Sequence, residues 1–173
     1  MNDREIIKYL IENIRRELSN LNEICLQISP LIEKTGKADD KERVFYNRAA
    51  GSILHDFYTG LEKIFCNITN RLNKGLPEGE DWHIQLLRNM AEPKGKRPQV
   101  ISLELMEELK EYLGFRHLFR NIYGTQLKWD KLRFLLVKIQ DTLWKRLKDE
   151  VDLFIEYLER EKENRKRWNI FFY

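Results

Sequence analysis

The chain has 173 residues, of which 42% are hydrophobic and 34% charged, and its formal net charge is +3. That length suits a single domain with its own core, and that composition excludes an intrinsically disordered chain. The mild positive charge permits a nucleic-acid partner without requiring one. No charged-then-apolar leader opens the sequence and no run reaches about 18 apolar residues, so we expect a cytoplasmic protein.

The first half of the chain predicts two long helices. Apolar residues recur at steps of three and four over residues 3–35, which indicates one helix with Pro30 as a kink near its end. A polar turn over residues 34–41 leads to a second helix over residues 42–73. The apolar line of this second helix comprises Phe45, Ala49, Ile53, Phe57, Leu61, Ile64, Ile68 and Leu72.

The second helix also carries a polar line. Its members are Arg48, Ser52, His55, Thr59 and Glu62. Such a line is either a solvated face or the polar wall of a cleft, with Arg48 and His55 as lining residues. Of the two, the solvated face is our preferred interpretation.

A turn-rich loop and a short helix over residues 82–91 come next, and a basic loop over residues 92–100 follows. Lys94, Lys96 and Arg97 in this loop are candidates for contacts to an RNA backbone, because phosphate contacts supply much of nucleic-acid affinity. The alternative is that the loop is simply solvated.

The remaining sequence predicts two more long helices. Ser102 is a suitable N-cap for a helix that reaches about Tyr123 and stops at Gly124. The last helix covers residues 129–163, and residues 164–173 form a basic and aromatic tail that we expect to pack within a dimer. Without any strong strand candidate, the prediction is an all-α, up-down bundle of four long helices and one short helix, with residues 1–163 as one domain.

Metal and thiol chemistry are not indicated. Cys25 and Cys66 lie inside apolar runs with no second ligand at the right spacing, so we predict buried, reduced thiols. His83 follows Glu80 at an E-x-x-H spacing, but a carboxylate-bridged metal centre needs a second such motif. We therefore expect no metal site and no cofactor.

Arg116 stands out on the next-to-last long helix. The inner stripe of that helix passes through Met106, Leu109 and Leu113, and its next steps are Arg116 and Arg120. A buried guanidinium needs an anionic partner, since burying an unpaired cation is costly. That partner is either an internal carboxylate or a phosphate, for which the planar fork of arginine is well shaped.

The segment around Arg116 resembles the signature of HepT-like proteins, which belong to the HEPN group of helical ribonucleases. Their pattern is Arg, a polar residue, three further positions, His, one position and Tyr, and residues 116–123 here read Arg-His-Leu-Phe-Arg-Asn-Ile-Tyr. Two earlier blocks are similar to others of the family, in the same order. These are His55-Asp56-Phe57-Tyr58 with Gly60-Leu61-Glu62, and Asp81-Trp82-His83 with Leu86-Leu87.

The resemblance implies a homodimeric toxin that cuts RNA, for which tRNA is the first substrate to test, without a metal ion. In such proteins a base takes the proton from a ribose 2′-hydroxyl, and the arginine offsets charge on the phosphate. By that correspondence Arg116 is the phosphate clamp, and Tyr123 is the residue to which a nucleotidyltransferase antitoxin adds AMP. Arg120 is a further candidate for RNA binding.

Asn121 departs from the family pattern, because it occupies the position of the catalytic histidine. A carboxamide does not titrate near neutral pH and cannot act as a general base. Three interpretations stay open: an inactive variant of a toxin, a natural variant that uses another base such as His117, or a domain that binds without cutting. His117 lies one helical turn from Asn121 on the same face.

Overall fold

The computed structural model describes residues 2–73, 75–122 and 126–170, except for the side chains of residues 165–170. Within these ranges the chain is all-α, with one isolated bridge between Lys94 and Arg97 and no strand, so the predicted helical bundle is confirmed. The elements are α1 (Asp3–Leu26), α2 (Ile28–Lys37), α3 (Asp40–Leu72), α4 (Trp82–Ala91), α5 (Leu103–Phe119), α6 (Trp129–Lys138), a π-helical turn (Ile139–Leu143) and α7 (Trp144–Ile170). None of the described helices is long and apolar enough to cross a membrane.

The predicted first helix is broken into two. α1 ends at Leu26 and α2 begins at Ile28, where the prediction had one helix with a late kink. Pro30 explains the position of the break, because it has no N–H to donate to the carbonyl of Leu26 four residues earlier. As the third residue of α2, Pro30 lies in the first turn, where a missing N–H is tolerated.

α3 is the central helix, and α1 and α5 pack against it. Two glycines on α3 allow close approach: a Cβ on Gly60 would lie 2.7 Å from Leu21 Cδ2 of α1, and one on Gly51 would lie 2.5 Å from Phe119 Cε2 of α5. The predicted apolar line of α3 is wrong at its start. Phe45 is 73% exposed, and the core begins with Ala50 and Ile53 instead. Tyr46, the next residue, already packs against the core, so Phe45 lies on the outer side of the helix.

The start of α5 agrees with the prediction, whereas its end does not. The Ser102 hydroxyl accepts a hydrogen bond from Leu105 N, as expected of an N-cap, and Glu150 of α7 accepts hydrogen bonds from the Ser102 amide and hydroxyl. α5 ends at Phe119, with Arg120 as its C-cap, and not at Tyr123. Tyr123 and Gly124 lie outside the described residues.

The last helical segment is continuous from α6 through the π turn to α7, and its backbone is helical to Ile170, beyond the predicted end at residue 163. The Tyr112 hydroxyl donates a 3.0 Å hydrogen bond to the main-chain oxygen of Leu135, which ties α5 to α6 just before the π turn. Cys25 and Cys66 are free and half-buried, not fully buried as predicted. Burial raises the pKa of the Cys25 thiol to about 12, so it is protonated at neutral pH.

Candidate functional site

A buried carboxylate, that of Glu62, joins three helices. Glu62 lies in the second half of α3 and is 7% exposed. Its Oε2 is 2.9 Å from Nη2 of Arg116 on α5, and its Oε1 forms a hydrogen bond with Nδ1 of His83 on α4. Each carboxylate oxygen therefore has its own partner, and the arginine and the histidine are held in a fixed relation to each other.

Arg116 is buried but only partly paired. The residue is 8% exposed. Its Nε and Nη1 atoms are buried and have no hydrogen-bond partner among the residues that the structure describes. A guanidinium has five N–H donors in a rigid fork, and a buried donor without a partner costs about 1–3 kcal/mol. The internal carboxylate, one of the two partners considered for Arg116, is thus present, and two buried nitrogens of the guanidinium remain unpaired.

Two imidazole rings lie beside this ion pair. The His83 ring is stacked on Trp82, with ring centroids 3.6 Å apart, and its side chain is 12% exposed. The His117 ring meets the His83 ring edge-on, with centroids 5.2 Å apart. We refer to Glu62, His83, Arg116 and His117 as the Glu62 cluster.

His117 is at the exposed edge of the Glu62 cluster. Partial burial lowers its pKa below the ordinary value, and the positive potential of His83, Arg116 and Arg120 acts in the same direction, against an opposing effect of Glu62. The imidazole is consequently neutral at pH 7 and has a nitrogen that accepts a proton.

Two further side chains extend the buried surroundings of Glu62 along α3. Tyr58 and Cys66 lie one helical turn before and after it. Burial, with a smaller contribution from the Glu62 charge, raises the pKa of both groups, that of Cys66 to about 11. Both are therefore protonated near pH 7 and add no negative charge beside Arg116.

The end of α5 places the other motif residues near the surface. Arg120 is exposed, so the expectation that it continues the buried stripe is wrong. The Asn121 side-chain amide donates a 2.8 Å hydrogen bond to the main-chain oxygen of His117, which closes the last turn. The helix tightens there, since Asn121 N also bonds to the oxygen of Leu118 three residues back.

The polar line of α3 changes character along its length. Arg48 and Ser52 are exposed, as on a solvated face, but Glu62 is buried, so the preferred interpretation is wrong at that end. His55 is half-buried and contacts the Phe119 ring at 5.6 Å between centroids, and its Nδ1 is 3.1 Å from Asp56 Oδ1. None of the described contacts of Arg48 or His55 is with the Glu62 cluster.

The basic loop likewise contains both exposed and buried cationic side chains. Lys94 and Lys96 are exposed, whereas Arg97 is 4% exposed. The Arg97 guanidinium donates to Asn73 Oδ1 at 3.2 Å and to main-chain oxygens of Asn89, Glu92 and Pro98. Its donors stabilise the loop and are not free for RNA, which corrects the prediction for this residue.

Glu62 and His83 are the functional candidates that sequence reasoning undervalued. By spacing alone, Glu62 belongs to a polar line that favours a solvated face, and His83 belongs to an incomplete metal-binding motif. In the described residues no group of three or more His, Cys, Asp and Glu side chains is placed to hold a metal ion. The available signal was that both residues lie in sequence blocks similar to those of one family.

A family model described as HepT-like protein matches residues 49–158. The matched range runs from α3 into α7 and contains the whole Glu62 cluster. No curated protein and no solved structure shows a significant match to the chain. Since the family match covers well over half of the sequence, the chain belongs to the HepT-like family, within the HEPN group of toxin–antitoxin ribonucleases.

Proposed function

We propose that this HepT-like protein is the RNA-cleaving toxin of a toxin–antitoxin pair, and that it acts as a homodimer without a metal ion. The observation that carries the proposal is the arrangement of Arg116. Its guanidinium is anchored by Glu62 through Nη2, while Nε and Nη1 are buried without a described partner. Donors held in place before the substrate arrives are what stabilises charge developing on a phosphate.

The reaction starts with a ribose 2′-hydroxyl beside the phosphate that Arg116 holds. The hydroxyl loses its proton and attacks phosphorus, and the 5′-oxygen of the next nucleotide leaves. His117 is the proton acceptor in this proposal, because it is neutral at pH 7 and exposed beside Arg116. The exposed side chains of Arg120, Lys94 and Lys96 contact the RNA backbone, as cations near phosphates do.

Dimer formation through α5 is part of the same proposal. Leu118, next to His117, is 53% exposed on the motif helix. An exposed leucine of this kind is well suited to a contact between two copies of α5, which would close a cleft over both Glu62 clusters. Sedimentation of the purified chain tests the dimer directly, and Leu118→Lys should weaken it.

Neutralisation by a nucleotidyltransferase antitoxin is proposed to act at Tyr123, shortly after the end of α5. AMP on this residue adds a bulky anion seven residues after Arg116 in the sequence, and in this proposal it competes with RNA for that arginine. Incubation with such a transferase and ATP should add AMP to the parent but not to Tyr123→Phe, as read by mass spectrometry. Modification at another residue would disprove the assignment of Tyr123.

The main test is cleavage of total tRNA in EDTA by the parent chain and by Arg116→Ala. We expect the variant to lose about a hundredfold or more in rate, the usual cost of removing one such donor group. Arg15→Ala is the matched control, because it removes an exposed arginine on α1 whose described ion-pair partner is Glu159 at 2.9 Å. Equal cleavage by Arg116→Ala and the parent would contradict the proposal.

A second function is favoured by Asn121. Its carboxamide does not titrate, and it is engaged with the main chain of its own helix. The alternative is a non-catalytic module that binds the nucleotidyltransferase or RNA. In that case neither the parent nor Asn121→His cuts RNA, and expression of both is harmless. If only Asn121→His cuts, the fold is a ribonuclease scaffold that Asn121 silences.

A further inference from the structure

We propose that His83 is a second catalytic histidine, which gives its proton to the leaving 5′-oxygen, and that Glu62 is the positioning residue for both His83 and Arg116. This inference rests on the proposed ribonuclease function and goes beyond it, because it assigns roles to two residues outside the Arg-to-Tyr motif. It also explains how cleavage proceeds with an asparagine at position 121.

The orientation of His83 supports this role. Its Nδ1 is engaged by Glu62, which leaves Nε2, on the other side of the ring, as the nitrogen available for proton transfer. The stacked Trp82 ring and the low exposure of the side chain restrict rotation of the imidazole. A carboxylate at Nδ1 also offsets the positive charge that the ring carries while it holds the proton for transfer.

The same carboxylate connects His83 to the phosphate clamp. Oε2 of Glu62 is 2.9 Å from Arg116 Nη2, so a phosphate held by Arg116 has a defined position relative to His83. Fixing reacting groups in this way is a large source of rate enhancement. A carboxylate that only neutralised Arg116 would not need the histidine as a second partner.

His117 completes an acid–base pair. Its ring meets the His83 ring edge-on, with centroids 5.2 Å apart, so the two imidazoles lie side by side next to Arg116. The groups that face His117 are His83 on α4, Glu62 on α3, and Arg116 and Arg120 at the end of α5. Burial and the three positive groups lower the pKa of His117 against the opposing effect of Glu62, which leaves the ring ready to accept the proton.

The step balances without any further reactant. The 2′-oxygen forms a bond to phosphorus as its proton moves to His117, and the bond from phosphorus to the 5′-oxygen breaks as His83 protonates that oxygen. The products are a 2′,3′-cyclic phosphate and a free 5′-hydroxyl. Water then returns the two imidazoles to their starting protonation states.

The experiment compares two short RNAs in EDTA, one with ordinary linkages and one with a sulfur in place of the 5′-oxygen at the cleavage site. A thiolate leaves without a proton, so cleavage of the second RNA needs no general acid. We expect His83→Gln to slow cleavage of ordinary RNA by about a hundredfold or more and to regain nearly the parental rate on the sulfur RNA. His117→Gln should stay slow on both.

Each other outcome has a distinct meaning. Parental activity of His83→Gln on ordinary RNA, with Arg116→Ala inactive, overturns the role of His83 and leaves the proposed function intact. Equal loss on both RNAs, with an unchanged thermal unfolding midpoint, also overturns it, because it shows a positioning role only. If His117→Gln, and not His83→Gln, regains activity on the sulfur RNA, the roles of acid and base are reversed between the two histidines. If Asn121→His cuts RNA and the parent does not, the inference about His83 fails, but the fold is still a ribonuclease scaffold. If neither the parent nor any variant cuts RNA, the proposed function itself fails.

Discussion

Removal of the Glu62 charge should destabilise the fold more than removal of its cationic partner. Glu62→Gln keeps the shape of the side chain but leaves Arg116, whose side chain is 10% exposed, as a buried cation without a counter-charge. Breaking a buried ion pair in this way typically costs about 3–5 kcal/mol. For a domain of this size, that corresponds to a fall in Tm on the order of 10 °C.

Arg116→Met should cost less, about 1–2 kcal/mol, although it breaks the same ion pair. The structure gives two reasons for the asymmetry. Two nitrogens of Arg116 already lack described partners, so their removal relieves an existing cost, and Glu62 keeps His83 as a partner when the arginine is gone. We therefore expect Glu62→Gln to exceed Arg116→Met by roughly 2 kcal/mol.

Urea unfolding at pH 7, followed by far-UV circular dichroism at one fixed protein concentration, measures both free energies of unfolding. Glu12→Gln is the control, because Glu12 is exposed and its nearest cation, Lys8, is 3.8 Å away. Such a surface pair contributes little, and the control should stay within about 0.5 kcal/mol of the parent. A cost of Arg116→Met equal to or above that of Glu62→Gln would refute this account of the Glu62 cluster.

Three further predictions follow from the packing and from the pKa directions. Gly60→Ala should destabilise the fold by about 1–3 kcal/mol, because its Cβ would meet a leucine of α1 at 2.7 Å. Gly114→Ala on α5, where a Cβ has open space, should stabilise the fold by about 0.5–1 kcal/mol in the same urea assay. Burial alone would raise the pKa of Glu108, but hydrogen bonds and charge interactions with Arg146 and Lys138 together outweigh that effect and lower it. This stabilisation is present above the unfolded carboxyl pKa and is lost as pH falls through the folded pKa, so Glu108→Gln should cost stability at pH 7 and much less at pH 3. Because burial and then the neighbouring positive groups lower the pKa of His117 from 6.5, the limb on which kcat/KM for RNA rises with pH should lie below 6.5. A rising limb above 6.5 would show that another group is the base.

Much of the fold could be predicted from the sequence, because helix formation depends on local spacing. The 3.6-residue recurrence of apolar side chains located all five helical segments, and Ser102 marked the start of α5 through its capping hydrogen bond. The errors lie where local rules compete. Pro30 moved the break in the first helix to Gln27, and α5 stopped at Phe119, before the glycine that was expected to end it.

The burial or exposure of individual side chains was not predictable in this way. Phe45 has the residue type and helical position of a core residue but is exposed, although its neighbour Tyr46 packs against the core. Arg97 reads as a surface cation but is buried, because the loop folds its carbonyl oxygens around the guanidinium. Neither result follows from the neighbouring residues, since each depends on what the rest of the chain places there.

The sequence by itself therefore determined the helical bundle and the family, and it marked Arg116 as the candidate site residue, all from spacing within single segments. The tertiary structure alone decided which partners Arg116 has. Glu62, His83 and Arg116 lie on three different helices, and packing of α3, α4 and α5 brings them within bonding distance. A buried charge takes whatever counter-charge the fold brings to it, and no local pattern specifies that partner.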